Sequence, residues 1–155
     1  MTTEKAKLFA CRPANAQDMQ ACAAILNRWI DETPWMPRLH SHAAVERHYR
    51  EEVYGRSDVV VADGAGAVAG FIALSEDHDV TALYVDGAMR GKGCGRALLD
   101  WAKAKHPDGL RLWVFQANSA AQRFYARAGL REVRRVGGGN EEDLPDILLE
   151  WRPVR

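Results

Sequence analysis

The chain has 155 residues, and its 21 Lys and Arg residues balance 21 Asp and Glu residues, giving a formal net charge of zero. A balanced charge produces no long-range field to recruit a polyanion, which argues against nucleic acid or an anionic membrane surface as a partner. The segment Met1 to Leu8 lacks the apolar stretch of a signal peptide, and no run of membrane-spanning length follows it. We therefore expect a cytoplasmic protein that contacts neither nucleic acid nor membrane.

The three cysteines are odd in number and widely spaced, at positions 11, 22 and 94. Such a pattern matches neither a disulfide framework nor a zinc site, so we expect a reduced protein without a metal. A chain of this length is expected to form one domain, residues 1–155, and to bury about 70% of the surface that it exposes when unfolded.

The amino-terminal part predicts one strand and two helices. Leu8 to Arg12 is a short strand, and Asn15 can cap a first helix. The buried stripe of that helix is predicted to be Met19, Cys22, Ala23, Leu26 and Ile30. Two prolines make Asp31 to His40 a loop, after which Ser41 can cap a second helix that extends to about Val53.

The middle of the chain predicts three strands and a helix. Asp58 to Ala62 and Ala67 to Leu74 form a hairpin around the turn Asp63-Gly64-Ala65-Gly66. A third strand, Val80 to Val85, leads through a glycine-rich turn into a helix over residues 94–106, which must stop before Pro107.

The last part predicts strand, helix, strand, strand. Leu110 to Phe115 alternates as a strand, and Ser119 with Gln122 forms a capping box for a short helix that Gly129 ends. Two strands follow, Leu130 to Val136 and Ile147 to Trp151. The predicted order is β-α-α-β-β-β-α-β-α-β-β, with neither a repeat nor a linker that would divide the domain.

The glycine-rich turn is the strongest functional signal in the chain. The cluster Arg90-Gly91-Lys92-Gly93-Cys94-Gly95 lies between a predicted strand and a predicted helix, where free backbone N–H groups and the helix dipole favour an anion. The glycine spacing is not that of a dinucleotide fingerprint, and Gly93 stands where a nucleotide-triphosphate loop needs Ser or Thr. The spacing that is present is Arg-x-x-Gly-x-Gly.

This loop resembles the acetyl-coenzyme A pyrophosphate loop of the GCN5-related N-acetyltransferase (GNAT) superfamily. A second motif of that superfamily is similar to the downstream segment, in which Asn118 precedes a helix with Phe124 and Tyr125 and then Gly129. The two motifs together cover residues 80–133. The resemblance implies an α/β (α+β) GNAT fold with a mixed, centrally splayed sheet and about four helices.

The resemblance also implies an acyltransferase that moves an acetyl group from acetyl-CoA directly to a primary amine. A bulge in the strand before the loop would leave backbone groups free to bind the pantetheine arm. The loop amides would hold the pyrophosphate, and Tyr125 would act as general acid. Glycine at 93 and 95 would let the backbone approach the ligand. The implied cofactor-binding residues are Leu83, Tyr84, Val85, Arg90, Gly91, Lys92, Gly93, Cys94, Gly95, Arg96, Asn118 and Tyr125.

Several of these residues have simpler interpretations. Tyr125 could be a core aromatic, although adjacent helical residues point about 100° apart and Phe124 is the better core candidate. Asn118 could merely cap its helix, although Ser119 already suits that role. Cys94 has no base at motif spacing and is expected to be passive. A module that binds acetyl-CoA without catalysis, and a transferase of another acyl-CoA, remain alternatives.

The general base and the acceptor are less constrained. Candidate bases are the polar turn Glu76 to Asp79 and the histidines His40 and His42. In the family the loops at 31–40 and 137–146 wall the acceptor site. The first offers Trp35 and Met36 as an apolar wall, with Asp31 and Glu32, and the acidity of the second suits a cationic amine. Both loops contain segments similar to bacterial GNAT proteins of unassigned substrate. A small-molecule amine and a peptide amine both stay open, as do a monomer and a homodimer.

Overall fold

The computed structural model describes residues 8–153, in which a seven-stranded sheet is flanked by four helices. The strands are β1 (Ala10–Pro13), β2 (Asp58–Gly64), β3 (Ala67–Leu74), β4 (Asp79–Val85), β5 (Leu110–Phe115), β6 (Arg131–Val136) and β7 (Asp146–Trp151). The flanking helices are α1 (Asp18–Glu32), α2 (His42–His48), α3 (Cys94–Lys105) and α4 (Ser119–Arg127), and short helical turns cover Tyr54–Arg56 and Gly87–Met89. The order of strands and helices is the predicted one, and the predicted fold class is confirmed.

The sheet is mixed and opens at its centre. Its strand order is β1-β2-β3-β4-β5-β7-β6, and every neighbouring pair is antiparallel except β4 with β5. The parallel pairing is limited to Asp79 with Arg111 and Val80 with Leu112. Beyond these pairs the strands separate, so the predicted splay lies between Thr81–Val85 and Trp113–Phe115.

Two apolar cores lie on opposite faces of the sheet. One packs below α3 and α4, and the other packs below α1 and α2. Successive side chains of β4 alternate between them, with Leu83 and Val85 on the α3 side and Ala82 and Tyr84 on the α1 side. This alternation decides which β4 groups can face a ligand from each side.

The start of the fold differs slightly from the prediction. Strand β1 is Ala10–Pro13 rather than Leu8 to Arg12, because Pro13 takes a place opposite Val60 on this edge strand. Asn15 and Asp18 cap α1 reciprocally: the side chain of Asn15 accepts the N–H of Asp18 at 3.1 Å, and the carboxylate of Asp18 accepts the N–H of Asn15 at 2.8 Å. Leu26 is only half-buried, whereas Ile25 is buried.

The second helix is shorter than predicted. Ser41 caps it as expected by accepting the N–H of Ala44 at 3.1 Å, but the α-helix ends at His48 and a π-helical turn covers Tyr49–Val53. The wider turn still buries Tyr49 against Phe71, with ring centroids 5.7 Å apart. A four-residue spacing alone does not distinguish an α-helix from one with a wider turn.

The remaining boundaries follow the prediction closely. Strand β2 extends to Gly64, so the hairpin turn shrinks to Ala65-Gly66, and both residues have the positive φ of a type I′ turn. Gly129 ends its helix with φ of 91°. Among residues 8–153, no helix combines the length and the apolarity that crossing a bilayer requires. Residues 1–7, on which the expectation about a signal peptide rests, lie outside the described residues.

Candidate active site

A groove of about 550 Å³ lies between β4 and β5, beside the loop before α3; we call it the loop groove. Lys92 is exposed and is not part of its lining. The other predicted site residues all line it: Leu83, Tyr84, Val85, Arg90, Gly91, Gly93, Cys94, Gly95, Arg96, Asn118 and Tyr125. The structure therefore brings two sequence-distant motifs to one cavity.

The loop offers an anion site at the start of α3. Gly93 caps this helix in the left-handed conformation, with φ of 93°, and its carbonyl accepts the N–H of Ala97 at 3.0 Å. The N–H groups of Cys94, Gly95 and Arg96 therefore precede the first N–H that has an acceptor within the helix, and they carry the positive end of the helix dipole. Such an arrangement binds phosphate groups readily.

The two predicted key glycines are required for different reasons. A Cβ at Gly93 would meet nothing within 4 Å, so its positive φ, and not crowding, excludes other residues. A Cβ at Gly95 would lie 3.3 Å from Cζ of Phe124. Gly95 therefore permits close packing of α3 on α4, a role that adds to the predicted approach of the backbone to a ligand.

The backbone of β4 supplies free polar groups to the groove. Asp86 donates its N–H to the carbonyl of Ala69 at 2.7 Å, and hydrogen-bonded pairs alternate along an antiparallel ladder. By this alternation Tyr84 pairs with Phe71, whereas the N–H and C=O groups of Leu83 and Val85 face the gap beside β5. The backbone of Tyr84 is therefore occupied by β3, contrary to the expectation for all three residues.

A bulge interrupts β4 before these residues. The register with β3 shifts so that Thr81 has no opposite residue, and its hydroxyl donates to the carbonyl of Ala73 at 3.2 Å. A bulge bends its strand and increases the local twist. This bend contributes to the separation of β4 from β5, which opens the groove.

Tyr125 lies deeper than predicted. Its side chain is 8% exposed and belongs to the core, whereas Phe124 is half-buried and packs against Gly95. The predicted division of roles, with Phe124 in the core and Tyr125 outside it, is therefore wrong. Both rings line the groove, and burial raises the pKa of Tyr125, so its phenol stays protonated at neutral pH.

Asn118, not Ser119, caps helix α4. The Asn118 carbonyl oxygen accepts the N–H of Ala121 at 3.0 Å, and Ser119 is the first helical residue. The predicted capping box is therefore wrong, because Gln122 turns back to donate to the carbonyls of Phe115, Gln116 and Asn118. Within residues 8–153 the side-chain nitrogen of Asn118 has no hydrogen-bond partner, which leaves it available to a ligand.

Cys94 and Arg96 have different surroundings. Burial raises the pKa of the Cys94 thiol to about 12, so it is not a thiolate at neutral pH, as its expected passive role requires. Arg96 forms an exposed ion pair with Asp100, with Nε 3.2 Å from Oδ1. Its guanidinium is close to the anion site and free to exchange this weak partner for a phosphate.

A second groove, of about 980 Å³, adjoins the first on the α1 side of the sheet. Trp29, Tyr84 and Phe115 line both grooves and mark their junction. The loops at 31–40 and 137–146 both contribute to its walls, and His40 Nε2 lies 2.8 Å from Glu141 Oε1 across them. Because Glu141, Glu142 and Asp146 line it, we call it the acidic groove.

Aromatic rings form the floor between the grooves. Trp29 packs on Tyr84 with centroids 5.2 Å apart, and Trp35 packs on both Trp29 and Phe115 at 5.7 Å. The predicted apolar wall is half correct, because Met36 lines the acidic groove, whereas Trp35 is not part of the lining and packs against Trp29 and Phe115 instead. Sequence reasoning missed Trp29, although its position three residues after Leu26 places it on the buried side of α1.

The structure places most of the candidate general bases outside the two grooves. Neither groove is lined by Glu76, Asp77 or His78, and Asp79 pairs with Arg111 with Nε to Oδ1 at 3.3 Å. His42 contacts Asp31 at 2.7 Å and also lies outside both linings, whereas His40 lies within the acidic groove.

Glu142 is a carboxylate in the lining of the acidic groove, and its charge influences Tyr84 at the groove junction. Burial raises the pKa of Tyr84 to about 12, and the negative charge of Glu142 raises it further as a smaller contribution. The carboxylate of Glu142 is therefore electrostatically coupled to the ring at which the two grooves meet. Asp146 is held differently, because it is buried and accepts the side-chain amide of Asn140 at 3.1 Å.

A family model described as "Acetyltransferase (GNAT) domain" matches residues 30–140, more than half of the chain. The chain belongs to the GNAT acetyltransferase family. A peptidyl-lysine N-acetyltransferase of Escherichia coli, YiaC, is 26% identical over 140 residues, which cover 85% of this chain and 91% of that protein. An uncharacterized N-acetyltransferase of Archaeoglobus fulgidus is 30% identical over 100 residues, or 56% of this chain and 68% of that protein.

Solved structures of the same fold resemble most of the chain. The apo form of YjaB from Escherichia coli is 24% identical with a TM-score of 0.75, and covers 94% of this chain and 99% of its own. The structure of yncA from Salmonella typhimurium, solved with its cofactor acetyl-CoA, is 21% identical with a TM-score of 0.70 and covers 95% of each chain. At this identity the likeness concerns the fold.

Proposed function

We propose that this protein transfers the acetyl group of acetyl-CoA directly to a primary amine. The observation that carries the proposal is the junction of the two grooves at Trp29, Tyr84 and Phe115. A donor in the loop groove and an acceptor in the acidic groove would meet there without leaving the protein. Acetyl-CoA bound to yncA and the lysine acetylation named for YiaC agree with this donor and this kind of acceptor.

The loop groove offers a separate partner for each part of acetyl-CoA. The N–H groups from Gly91 to Arg96 would hold the pyrophosphate, with positive charge from Arg90 and Arg96. The free backbone groups of Leu83 and Val85 would bind the pantetheine arm, which would then run through the gap towards Tyr125. Acetyl-CoA would supply the activated acetyl group as a thioester.

The transfer itself needs positioning, the removal of two protons from the acceptor nitrogen and the donation of one proton to the departing thiolate. The acceptor arrives as an ammonium ion, which the carboxylates of the acidic groove attract, and it must lose a proton before it can attack. We infer that Glu142 accepts this proton, directly or through water. The neutral nitrogen then attacks the thioester carbonyl carbon, forming the C–N bond.

Collapse of the tetrahedral intermediate breaks the C–S bond. The protonated phenol of Tyr125 would donate its proton to the departing thiolate and regain one from solvent. Glu142, after releasing its first proton to solvent, would accept the remaining extra proton of the nitrogen. The products are an N-acetylated amine and the free thiol of coenzyme A. Every residue in this sequence of steps lines one of the two grooves.

Two measurements test the proposal together. Acetyl-CoA should raise the melting temperature of the protein, because a ligand that binds only the folded state stabilises it by mass action. Release of free coenzyme A should depend on an added amine and should be measured across amines and across acetyl-, propionyl- and succinyl-CoA. A melting shift without amine-dependent release would indicate a binding module instead, and a faster reaction with another acyl group would change the donor.

A further inference from the structure

The face of β5, β7 and β6 on the α1 side is left open by the helices. Pairing across these strands places Trp113, Leu148 and Arg134 in one row, which we call the open row. The next row on the same face, two residues further along each strand pair and nearer the acidic groove, consists of Phe115, Asp146 and Val136. The open row thus forms the edge of the acidic groove on the sheet surface, with Trp113 and Arg134 in its lining.

The open row combines an exposed aromatic ring with an available cation. Trp113 is 46% exposed, and the guanidinium of Arg134 lies 5.4 Å from the centroid of its ring. Within residues 8–153 no carboxylate lies within ion-pair distance of Arg134, whereas its neighbour Arg135 pairs with Glu132 at 2.9 Å. Arg134 is held by stacking and keeps its hydrogen-bond donors free.

The open row is continuous with the acidic groove. Trp113 and Arg134 line that groove, and together with Leu148 they also line a shallow hollow of about 390 Å³ further along the sheet. Trp113 lies two residues before Phe115 in β5, which corresponds to about 7 Å along the strand. An extended chain with one side chain in the acidic groove would therefore lay its neighbouring residues over the open row.

The charges change sign along this path. Glu141, Glu142 and Asp146 line the groove, where an ammonium group is bound under the proposed function. Arg134 on the open row presents a positive charge to whatever lies next to that ammonium group. A small amine that occupies only the end of the groove beside these carboxylates leaves Arg134 without a partner, whereas a longer acceptor with a nearby carboxylate satisfies both ends.

We propose that the acceptor is a peptide in which an acidic residue lies close in sequence to the acetylated lysine. The carboxylate binds the guanidinium of Arg134, and apolar atoms of the peptide pack on Trp113 and Leu148. This inference rests on the proposed acetyltransferase function and specifies its substrate class. It makes Arg134 a specificity-determining residue that touches the substrate away from the reacting atoms.

The test compares lysine peptides that differ only in one flanking residue, Glu or Gln, placed one or two positions before or after the lysine. At one flanking position or more the wild type should show a kcat/KM about two- to fivefold higher for Glu, as expected for an exposed charge pair. The preference should shrink as salt is added. Arg134→Gln should abolish the preference, and Arg134→Glu should reverse it.

Arg135→Gln is the matched control, because residue 135 follows in the same strand but lies on the other face of the sheet. This variant should retain the wild-type preference. Equal rates for Glu and Gln peptides in the wild type, or a preference that survives in Arg134→Gln, would overturn the proposal. Acetylation of small amines but of no peptide would also overturn it while leaving the proposed function intact. No acetylation of any amine would instead contradict the proposed function itself.

Discussion

Burial decides what the ionisable side chains around the loop groove can do. It raises the pKa of the Tyr125 phenol and of the Cys94 thiol, so both groups keep their protons at neutral pH. A protonated phenol is a proton donor, whereas a protonated thiol is a poor nucleophile. The same physical cause therefore favours Tyr125 as an acid and argues against covalent catalysis by Cys94.

Replacing Tyr125 by Phe tests the acid directly. The change removes one hydroxyl with almost no change in packed volume, and loss of a general acid typically lowers the rate by about 10² to 10⁴. We expect kcat to fall within that range while the dissociation constant for acetyl-CoA, measured by titration, changes little. An unchanged kcat, with the chemical step shown to limit the rate, would remove Tyr125 from the catalytic residues.

Replacing Gly93 by Ala tests the conformation of the loop. Because Gly93 has φ of 93° and open space around its Cα, the added methyl group should cost about 1–2 kcal/mol of unfolding free energy through strain alone. The strain should also displace the first N–H groups of α3 and weaken acetyl-CoA binding. Denaturant unfolding and titration measure the two effects.

Gly137→Ala is the control for Gly93→Ala. A Cβ at Gly137 would also meet nothing within 4 Å, but this residue lacks a positive φ. The stability of the Gly137 variant and its affinity for acetyl-CoA should therefore remain close to those of the wild type. Equal effects of the two substitutions would mean that the backbone conformation of Gly93 is not what the loop requires.

Local sequence was sufficient to predict which residues gather at the loop groove, but not how each is oriented. The glycine positions follow from backbone geometry within a few residues, and that part of the site was predictable. Which of Phe124 and Tyr125 is more buried depends on the fit of α4 against Gly95 and β5. That fit is a tertiary property, so the prediction for this pair was wrong.

At the scale of elements, Asn118 joins helix α4 to the loop groove. Its side-chain oxygen caps the helix, and its side-chain nitrogen is the group left for a ligand. A substitution that keeps the oxygen but removes the nitrogen separates the two roles. Asp is such a substitution, and its negative charge also suits a helix amino terminus.

We therefore predict different outcomes for two substitutions at position 118. Asn118→Ala should lower the free energy of unfolding by about 1 kcal/mol, since a helix loses its cap. Asn118→Asp should retain the wild-type melting temperature but bind acetyl-CoA more weakly, as shown by calorimetric titration. If Asn118→Asp binds acetyl-CoA as tightly as the wild type, the residue is a cap and nothing more.

The elements themselves were largely predictable because their signals are local. The Ala65-Gly66 turn, the Ser41 cap and the Gly129 stop each depend on neighbouring residues, and all three are present. The π-helical turn at Tyr49–Val53 was not predicted, and the bulge in β4 was implied by the family resemblance but its position at Thr81 was not. Each inserts one extra residue into a regular helix or strand. The average spacing of apolar residues over a short segment does not reveal such an insertion.

At the scale of the whole molecule, one charge cluster joins β1, β2 and α1. Arg12 donates to Asp63 at 2.6 Å and to Asp18 at 2.8 Å, and Asp18 also completes the cap of α1. The hydrogen bonds from Arg12 hold the pKa of Asp18 below its usual range, despite the opposing effect of burial. The unfolded chain, in which Asp18 has its ordinary pKa, therefore binds a proton more readily than the folded one.

This difference predicts a pH dependence of stability. A lowered folded pKa means that the contribution of Asp18 is complete above its ordinary pKa of 3.8 and is lost as the pH falls below that value. Asp18→Asn should therefore lower the melting temperature clearly at pH 7 and much less near pH 3. Asp108→Asn, at an exposed position in a loop, should be close to neutral at both pH values. A constant difference between Asp18→Asn and the wild type would contradict the argument.

The joined grooves are a whole-molecule feature that no single motif encodes. They exist because β4 and β5 pair over two residues only and then separate, while β4 is bent at its bulge. The loop motif predicted a binding site for the donor, but the acidic groove and the open row depend on three strands and two loops that are distant in sequence. The family resemblance predicted that the sheet opens at its centre. Which residues line the acidic groove and the open row could be read only from the structure.

The most direct test of acetyl transfer is one reaction containing the protein, acetyl-CoA and a lysine peptide, followed by mass spectrometry and a thiol assay. The proposed function predicts that acetylated peptide and free coenzyme A appear in equal amounts, and that Tyr125→Phe slows both to the same extent. Binding of acetyl-CoA by the wild type without acetylation of any peptide or small amine above the rate in buffer would contradict it.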